Sequence, residues 1–88
     1  LFRSKVLEKA DASYEQAKAF MASGLIDQAL YAYKKAIVLR PDHAVYYHDY
    51  ALALETKGRP KEAREAWENV VKYDDAGRFT AEARERIG

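Results

Sequence analysis

Between Gly24 and Pro41 the chain reads GLIDQALYAYKKAIVLRP, and the features of this stretch return at one fixed offset. Gly24 falls on Gly58, Ala29 on Ala63, Ala32 on Ala66 and Tyr33 on Trp67, each pair 34 residues apart. The same offset taken backwards sets Ala10 against Ala44, Ala17 against Ala51, Ala19 against Ala53 and Phe20 against Leu54. A period of this size is too long for one helix turn pattern and too short for a domain. It predicts stacked helical hairpins, each unable to bury its apolar face alone.

The elements follow from local chemistry. From Phe2 to Ala22 there is neither Pro nor Gly, and Phe2, Val6, Ala10, Ser13, Ala17 and Phe20 recur at steps of three and four. One continuous helix is expected, in preference to a break near Asp11 or Ser13 that would make the first residues the end of a preceding unit. Gly24 closes it, because glycine takes the left-handed cap conformation without a steric penalty. Ile26, Ala29, Leu30, Tyr33, Ala36, Ile37 and Arg40 mark a second helix folding back on the first, stopped by Pro41. Asp42 is expected to cap a third helix running to Lys57, which is apolar over more than one stripe. Gly58 ends it and Pro60 opens a fourth helix to about Tyr73, where a missing N–H costs nothing. On that helix Lys61 with Glu65, Arg64 with Glu68, and Glu68 with Lys72 can pair at i, i+4. Phe79, Ala83 and Ile87 give a short last helix with one narrow apolar stripe, as a lid on an open repeat end needs.

Composition narrows the function classes. The chain has 88 residues, enough for one small domain with a thin core. Fifteen basic and fourteen acidic residues interleave to a net charge of +1, leaving no single-sign block to attract nucleic acid or anionic lipid. There is no Cys, which removes disulfides and thiolate metal sites. The compartment is therefore not encoded, and a cytoplasmic setting is the expectation. No apolar run approaches the roughly 20 residues that cross a bilayer. The repeat pattern is already in progress at Leu1, so a piece of a larger protein is expected.

Taken together, the positions resemble the tetratricopeptide repeat, a helix-turn-helix unit. In the first unit Ala17, Phe20, Gly24, Ala29, Tyr33, Ala36 and Pro41 carry the resemblance; in the second Tyr47, Tyr50, Ala51, Leu54, Gly58, Ala63, Trp67 and Val70 do so. Ser13 and Gln16 depart from it where the family has a large aromatic and a Leu, and Asp75 stands in place of the terminal Pro. The resemblance implies an all-α fold of antiparallel hairpins stacked as a short right-handed superhelix. Residues 1–9 would extend the first helix, 10–43 and 44–77 would form two repeats, and 78–88 the capping helix.

It also implies a concave groove, lined by the first helix of each repeat, that grips a peptide or helix of a protein partner. Carried over by position, the groove holds Asp11, Tyr14, Glu15, Lys18 and Met21 from the first helix, and Val45, His48, Asp49, Leu52 and Glu55 from the third, finished by Phe79 with Glu82 or Arg86. Tyr14, Met21, Val45 and Leu52 are expected to lie off the stripe used for internal packing and so to want a partner. Glu15 and Asp49 would repel a C-terminal carboxylate, and a ligand with basic and apolar residues suits the groove better.

Other chemistries are not expected. His43 and His48 are five apart and cannot form the i, i+4 metal pair on one helix face. His48 and Asp49, adjacent on a helix, are expected to diverge, and no nucleophile is placed beside them. The anticipated activity is thus non-enzymatic, without cofactor, nucleic acid or membrane. The basic residues Lys57, Arg59, Lys61 and Arg64 around Gly58 are read as a solvated turn. Two alternatives remain open: homotypic assembly through open repeat ends, supported by Phe2, Val6 and Leu7 if exposed, and an RNA-reading helical repeat.

Overall fold

A computed structural model describes residues 2–88; Leu1, the first residue of the expected N-terminal extension, lies outside the described residues. Five helices follow one another: α1 (Phe2–Ala22), α2 (Ile26–Leu39), α3 (Ala44–Lys57), α4 (Pro60–Tyr73) and α5 (Thr80–Ile87). α1 is unbroken through Asp11 and Ser13. α1 packs on α2, α2 on α3, α3 on α4 and α4 on α5, which is a progressive stack rather than a closed bundle. Its extents are 40 × 30 × 17 Å.

The two hairpin turns are built alike, down to their hydrogen bonds. At the end of α1 the Leu25 N–H donates to the Phe20 carbonyl at 2.9 Å, and at the end of α3 the Arg59 N–H donates to the Leu54 carbonyl at 2.9 Å. Both bonds close around a left-handed glycine, Gly24 at φ 75° and Gly58 at φ 81°, the arrangement that satisfies the last carbonyls of a helix. Pro60 sits in the first turn of α4. The cap expected of Asp42 is not made. His43 is the extended residue that precedes α3, and no side-chain bond caps the helix, so Asp42 stands one residue too early to reach its first amides.

The core is assembled from the periodic positions. Ala17, Ala29, Ala51 and Ala63 are buried where helices approach closely, and Tyr33, Leu54, Trp67 and Val70 fill the space between them. Ala83 of α5 is fully buried, with Phe79 and Ile87 packed beside it, so α5 does cover the end of α4. Phe20 is only half-buried, unlike its counterpart Leu54, and Gln16 is exposed. None of the i, i+4 pairs expected on α4 closes to within 4 Å among the described residues. Ion pairs instead join elements: Lys57 of α3 lies 2.9 Å from Asp27 of α2, and Arg86 of α5 meets Glu55 of α3. Long side chains on an exposed helix gain too little from pairing to be fixed by it.

A candidate protein-binding face across α1, α3 and α5

α1, α3 and α5 share one side of the stack, and the repeat offset sets their side chains in register. Tyr14, His48 and Glu82 occupy one level, 34 residues apart in turn; Lys18, Leu52 and Arg86 occupy the next. At the first level the side chains form a continuous polar chain. The Tyr14 hydroxyl donates to Asp49 Oδ2 at 2.5 Å, His48 Nδ1 lies 2.8 Å from Asp49 Oδ1, and His48 Nε2 lies 2.9 Å from Glu82 Oε1. A histidine between two carboxylates makes both contacts as donors only as imidazolium. The expected divergence of His48 and Asp49 is therefore corrected: the carboxylate bends back along the helix to reach its neighbour's ring.

Aromatic rings back this chain. Tyr14 stacks on Tyr46 with centroids 5.0 Å apart, and His48 stacks on Phe79 at 4.1 Å while meeting the edge of Trp67 at 5.3 Å. Tyr46 is completely buried and its hydroxyl donates to Asp11. α1 and α3 are thus laced reciprocally, Tyr14 to Asp49 and Tyr46 to Asp11. Burial, and then the hydrogen bond to Asp49, push the Tyr14 hydroxyl well above its ordinary pKa. Burial and the bond to Asp11 push Tyr46 up to about 12. Both phenols stay protonated donors at any physiological pH.

At the far end Glu55 accepts from the Trp67 indole N–H at 2.8 Å and from Arg86, whose guanidinium also lies over the Trp67 ring at 5.2 Å. Desolvation raises the Glu55 carboxyl, but these two donors outweigh it and hold it below the usual range. Glu15 and Lys18 pair at 3.1 Å, with both side chains largely in solvent, and Lys18 also lies over the Tyr14 ring. Carboxylates from three helices (Glu15, Asp49, Glu55 and Glu82) therefore share this face with Lys18, His48 and Arg86, and all but the largely solvated Glu15 are held by hydrogen bonds from neighbouring elements or rings.

A model of the tetratricopeptide repeat family matches residues 2–44 and, overlapping them, 14–79. The chain belongs to the tetratricopeptide repeat family. No curated protein matches it. Repeats of this family generally mediate protein–protein interactions and are typically non-enzymatic.

Within the tetratricopeptide frame the nine predicted site residues fall into three groups. Tyr14, His48 and Asp49 are tied into the polar chain and Glu55 is held by Trp67 and Arg86. Glu15 and Lys18 stand in solvent. Met21, Val45 and Leu52 are half-buried, and Met21 and Leu52, with Tyr14, pack against the main core. The expectation of freedom from internal packing is thus corrected for Tyr14, Met21 and Leu52, which pack against the main core. Val45 opens with Phe79 onto a cleft of about 430 Å³ beside Arg3, Arg40, His43 and Arg78. Tyr46 was not anticipated; the signal is the i, i+4, i+7 row of Tyr46, Tyr50 and Ala53, a second stripe on α3 facing the preceding hairpin.

The basic turn around Gly58 is partly neutralised, since Lys57 pairs with Asp27 and Arg59 approaches Glu62 at 4.0 Å. Of the residues invoked for homotypic assembly, Phe2 is 88% exposed while Val6 and Leu7 are half-buried. Among the described residues no helix is long and apolar enough to cross a membrane, and no three His or carboxylate groups could hold a metal ion.

Proposed function

We propose that this chain is a protein-interaction module whose face across α1, α3 and α5 takes a partner segment carrying basic and apolar side chains. The observation that carries this reading is the row of carboxylates from three helices beside half-buried Met21, Leu52 and Val45. The donors on Asp49 and Glu55 fix these carboxylates in position, so a cationic side chain meets pre-oriented acceptors and little ordering cost is left to the encounter. Recognition is non-covalent, and partner side chains dock on Tyr14, Met21, Val45, His48 and Leu52.

The test is selection of a degenerate decapeptide library on the wild-type chain and on Glu15→Lys and Leu52→Arg variants. Lys or Arg next to Leu, Ile or Phe should be enriched on wild type and lost on both variants, with helicity by circular dichroism unchanged. Enrichment of acidic peptides, or the same enrichment on the variants, would remove the assignment.

A further inference from the structure

We propose a second docking site at the open end of the stack, the cleft between α1 and α2, for an amphipathic partner helix that carries acidic residues beside its apolar edge. The site lies away from the α1, α3 and α5 face and does not depend on that reading.

The first argument comes from what the second hairpin does at the same positions. On α3, Tyr46 and Ala53 are fully buried and Tyr50 half-buried beneath the preceding hairpin, with Tyr50 6.4 Å from the ring of Tyr33. Their counterparts 34 residues earlier, Ala12, Gln16 and Ala19, are all exposed. Two of the three are alanines, so a helix can approach α1 closely there.

The second argument compares two clefts. Between α2 and α4 an inner cleft of about 280 Å³ has Tyr50 and Ala66 at its base, Ile37 and Val38 of α2 along one wall, and Glu62 and Glu65 along the other. An outer cleft of about 420 Å³ lies between α1 and α2, with Gln16 and Ala32 at the equivalent base and Gln28 and Tyr31 at the equivalent wall. Among the described residues no helix stands at the outer cleft as α2 stands at the inner one. Tyr31 is 70% exposed in the place of Glu65, and Val38 is 78% exposed in the place of Lys72. Packing among the described residues places Val38 only at the wall of the inner cleft and gives no reason for Tyr31.

Charge then selects the occupant. α2 brings Lys34 to an inner cleft lined by Glu62 and Glu65. In the outer cleft those carboxylates are replaced by Gln28 and Tyr31, Lys35 replaces Asn69, and the carboxylate that does line it, Asp27, is paired with Lys57. Neither Lys34 nor Lys35 lies within 4 Å of a carboxylate among the described residues. A helix seated there therefore needs apolar residues where α2 has Ile37 and Val38, and an acid where α2 has Lys34. A second copy of the chain fits poorly. A two-fold pairing that covers Tyr31 with the other copy's Val38 is centred on Lys34 and Lys35 and sets like charges opposite, and α5 already occupies the far end of the stack.

The probes are two peptides of residues 26–39, the chain's own α2: one unaltered, the other with Lys34→Glu and Lys35→Glu. The glutamate peptide should bind the full chain about tenfold or more tightly than the lysine peptide, in line with the cost of like-charge contact. Amide shifts on binding should cluster at Gln16, Ala19, Tyr31 and Lys35. Tyr31→Glu in the chain, which installs the residue of the second hairpin, should lose most of this binding with unchanged helicity, whereas Leu52→Arg should retain it. Equal affinity for the two peptides, no binding, or shifts centred on Tyr14 and Leu52 would overturn the proposal. A dimer abolished by Tyr31→Glu would overturn it in favour of a second copy.

Discussion

At positions 34 residues apart, Ala29 and Ala63 are both sealed from solvent, as are Tyr33 and Trp67, whereas Tyr31 stands in solvent where the second hairpin has Glu65, and Val38 where it has Lys72. The inner positions agree because two helices at close range accept only certain volumes. The outer positions differ because little among the described residues packs on them. What the two hairpins share is therefore scaffold, and what separates them is where specificity can reside. The caps support this division: Gly24 and Gly58 make the same turn with the same hydrogen bond, while the residues just beyond, Leu25 and Arg59, have already diverged.

The harshest way to break the equivalence is to remove its largest buried members. Trp67→Ala deletes a side chain that is fully buried, holds Glu55 and lies under Arg86. A loss of about 3–5 kcal/mol is expected, a large share of the stability of a domain of this size, read from a urea titration at 25 °C. Tyr33→Ala, at the matching position, should cost less, since Tyr33 bonds no carboxylate among the described residues and its counterpart Trp67 does. Equal losses would mean that the bond to Glu55 is not what separates the two positions.

The reciprocal lacing between α1 and α3 comes next. Tyr46→Phe and Tyr14→Phe each remove one hydroxyl from a carboxylate while keeping the ring, at an expected cost of about 1.5–3 kcal/mol for a bond to a charged acceptor. Tyr14→Phe should fall at or below the lower end, because Asp49 keeps His48 as a partner while Asp11 of the other pair has no second side-chain donor among the described residues. Urea midpoints at constant slope decide the order. A smaller change follows from the turns. Gly24→Ala and Gly58→Ala meet no atom within 4 Å of the new Cβ, so the only cost is the left-handed backbone, about 1–2 kcal/mol and the same in both hairpins. A clear difference between them would show that the two turns are less alike than their hydrogen bonds.

The division also explains which features could be read from residues alone. Helix ends at Gly24, Gly58 and Pro60 depend on backbone chemistry within one turn, and periodic alanines record close approach whatever the partner is. Asp42 misled because a cap depends on which residue is extended, and His43 holds that conformation. The polar chain from Tyr14 to Glu82 was hidden for a different reason. It joins residues 34 and 35 apart on three helices, so its pairs depend on how far neighbouring helices slide and tilt, which no single-helix pattern contains. The half-burial of Met21 and Leu52 was hidden in the same way.

The smallest effect concerns the two inter-helix linkers, where the hairpins differ most. After α2 comes Arg40 with Pro41, a linker whose proline carbonyl accepts from the Tyr47 hydroxyl at 2.7 Å. After α4 comes Asp74, whose carboxylate accepts from the Arg78 and Phe79 N–H groups and from the Thr80 hydroxyl, bracing the start of α5. Desolvation raises the Asp74 carboxyl, but these hydrogen bonds outweigh it and hold it below the ordinary aspartate range. A carboxyl depressed in the folded state binds fewer protons there than in the unfolded chain, so its contribution rises with pH. It is complete above the ordinary aspartate value of about 3.9 and is lost as pH falls through the lower folded value. Hydrogen exchange should show the Arg78 and Phe79 amides losing protection across that window, with the Arg40 amide, bonded to the Ala36 carbonyl, unchanged. Asp74→Asn should abolish the pH dependence at α5 alone; a matching loss at Arg40 would mean that acid loosens the whole stack and that the two linkers respond as one.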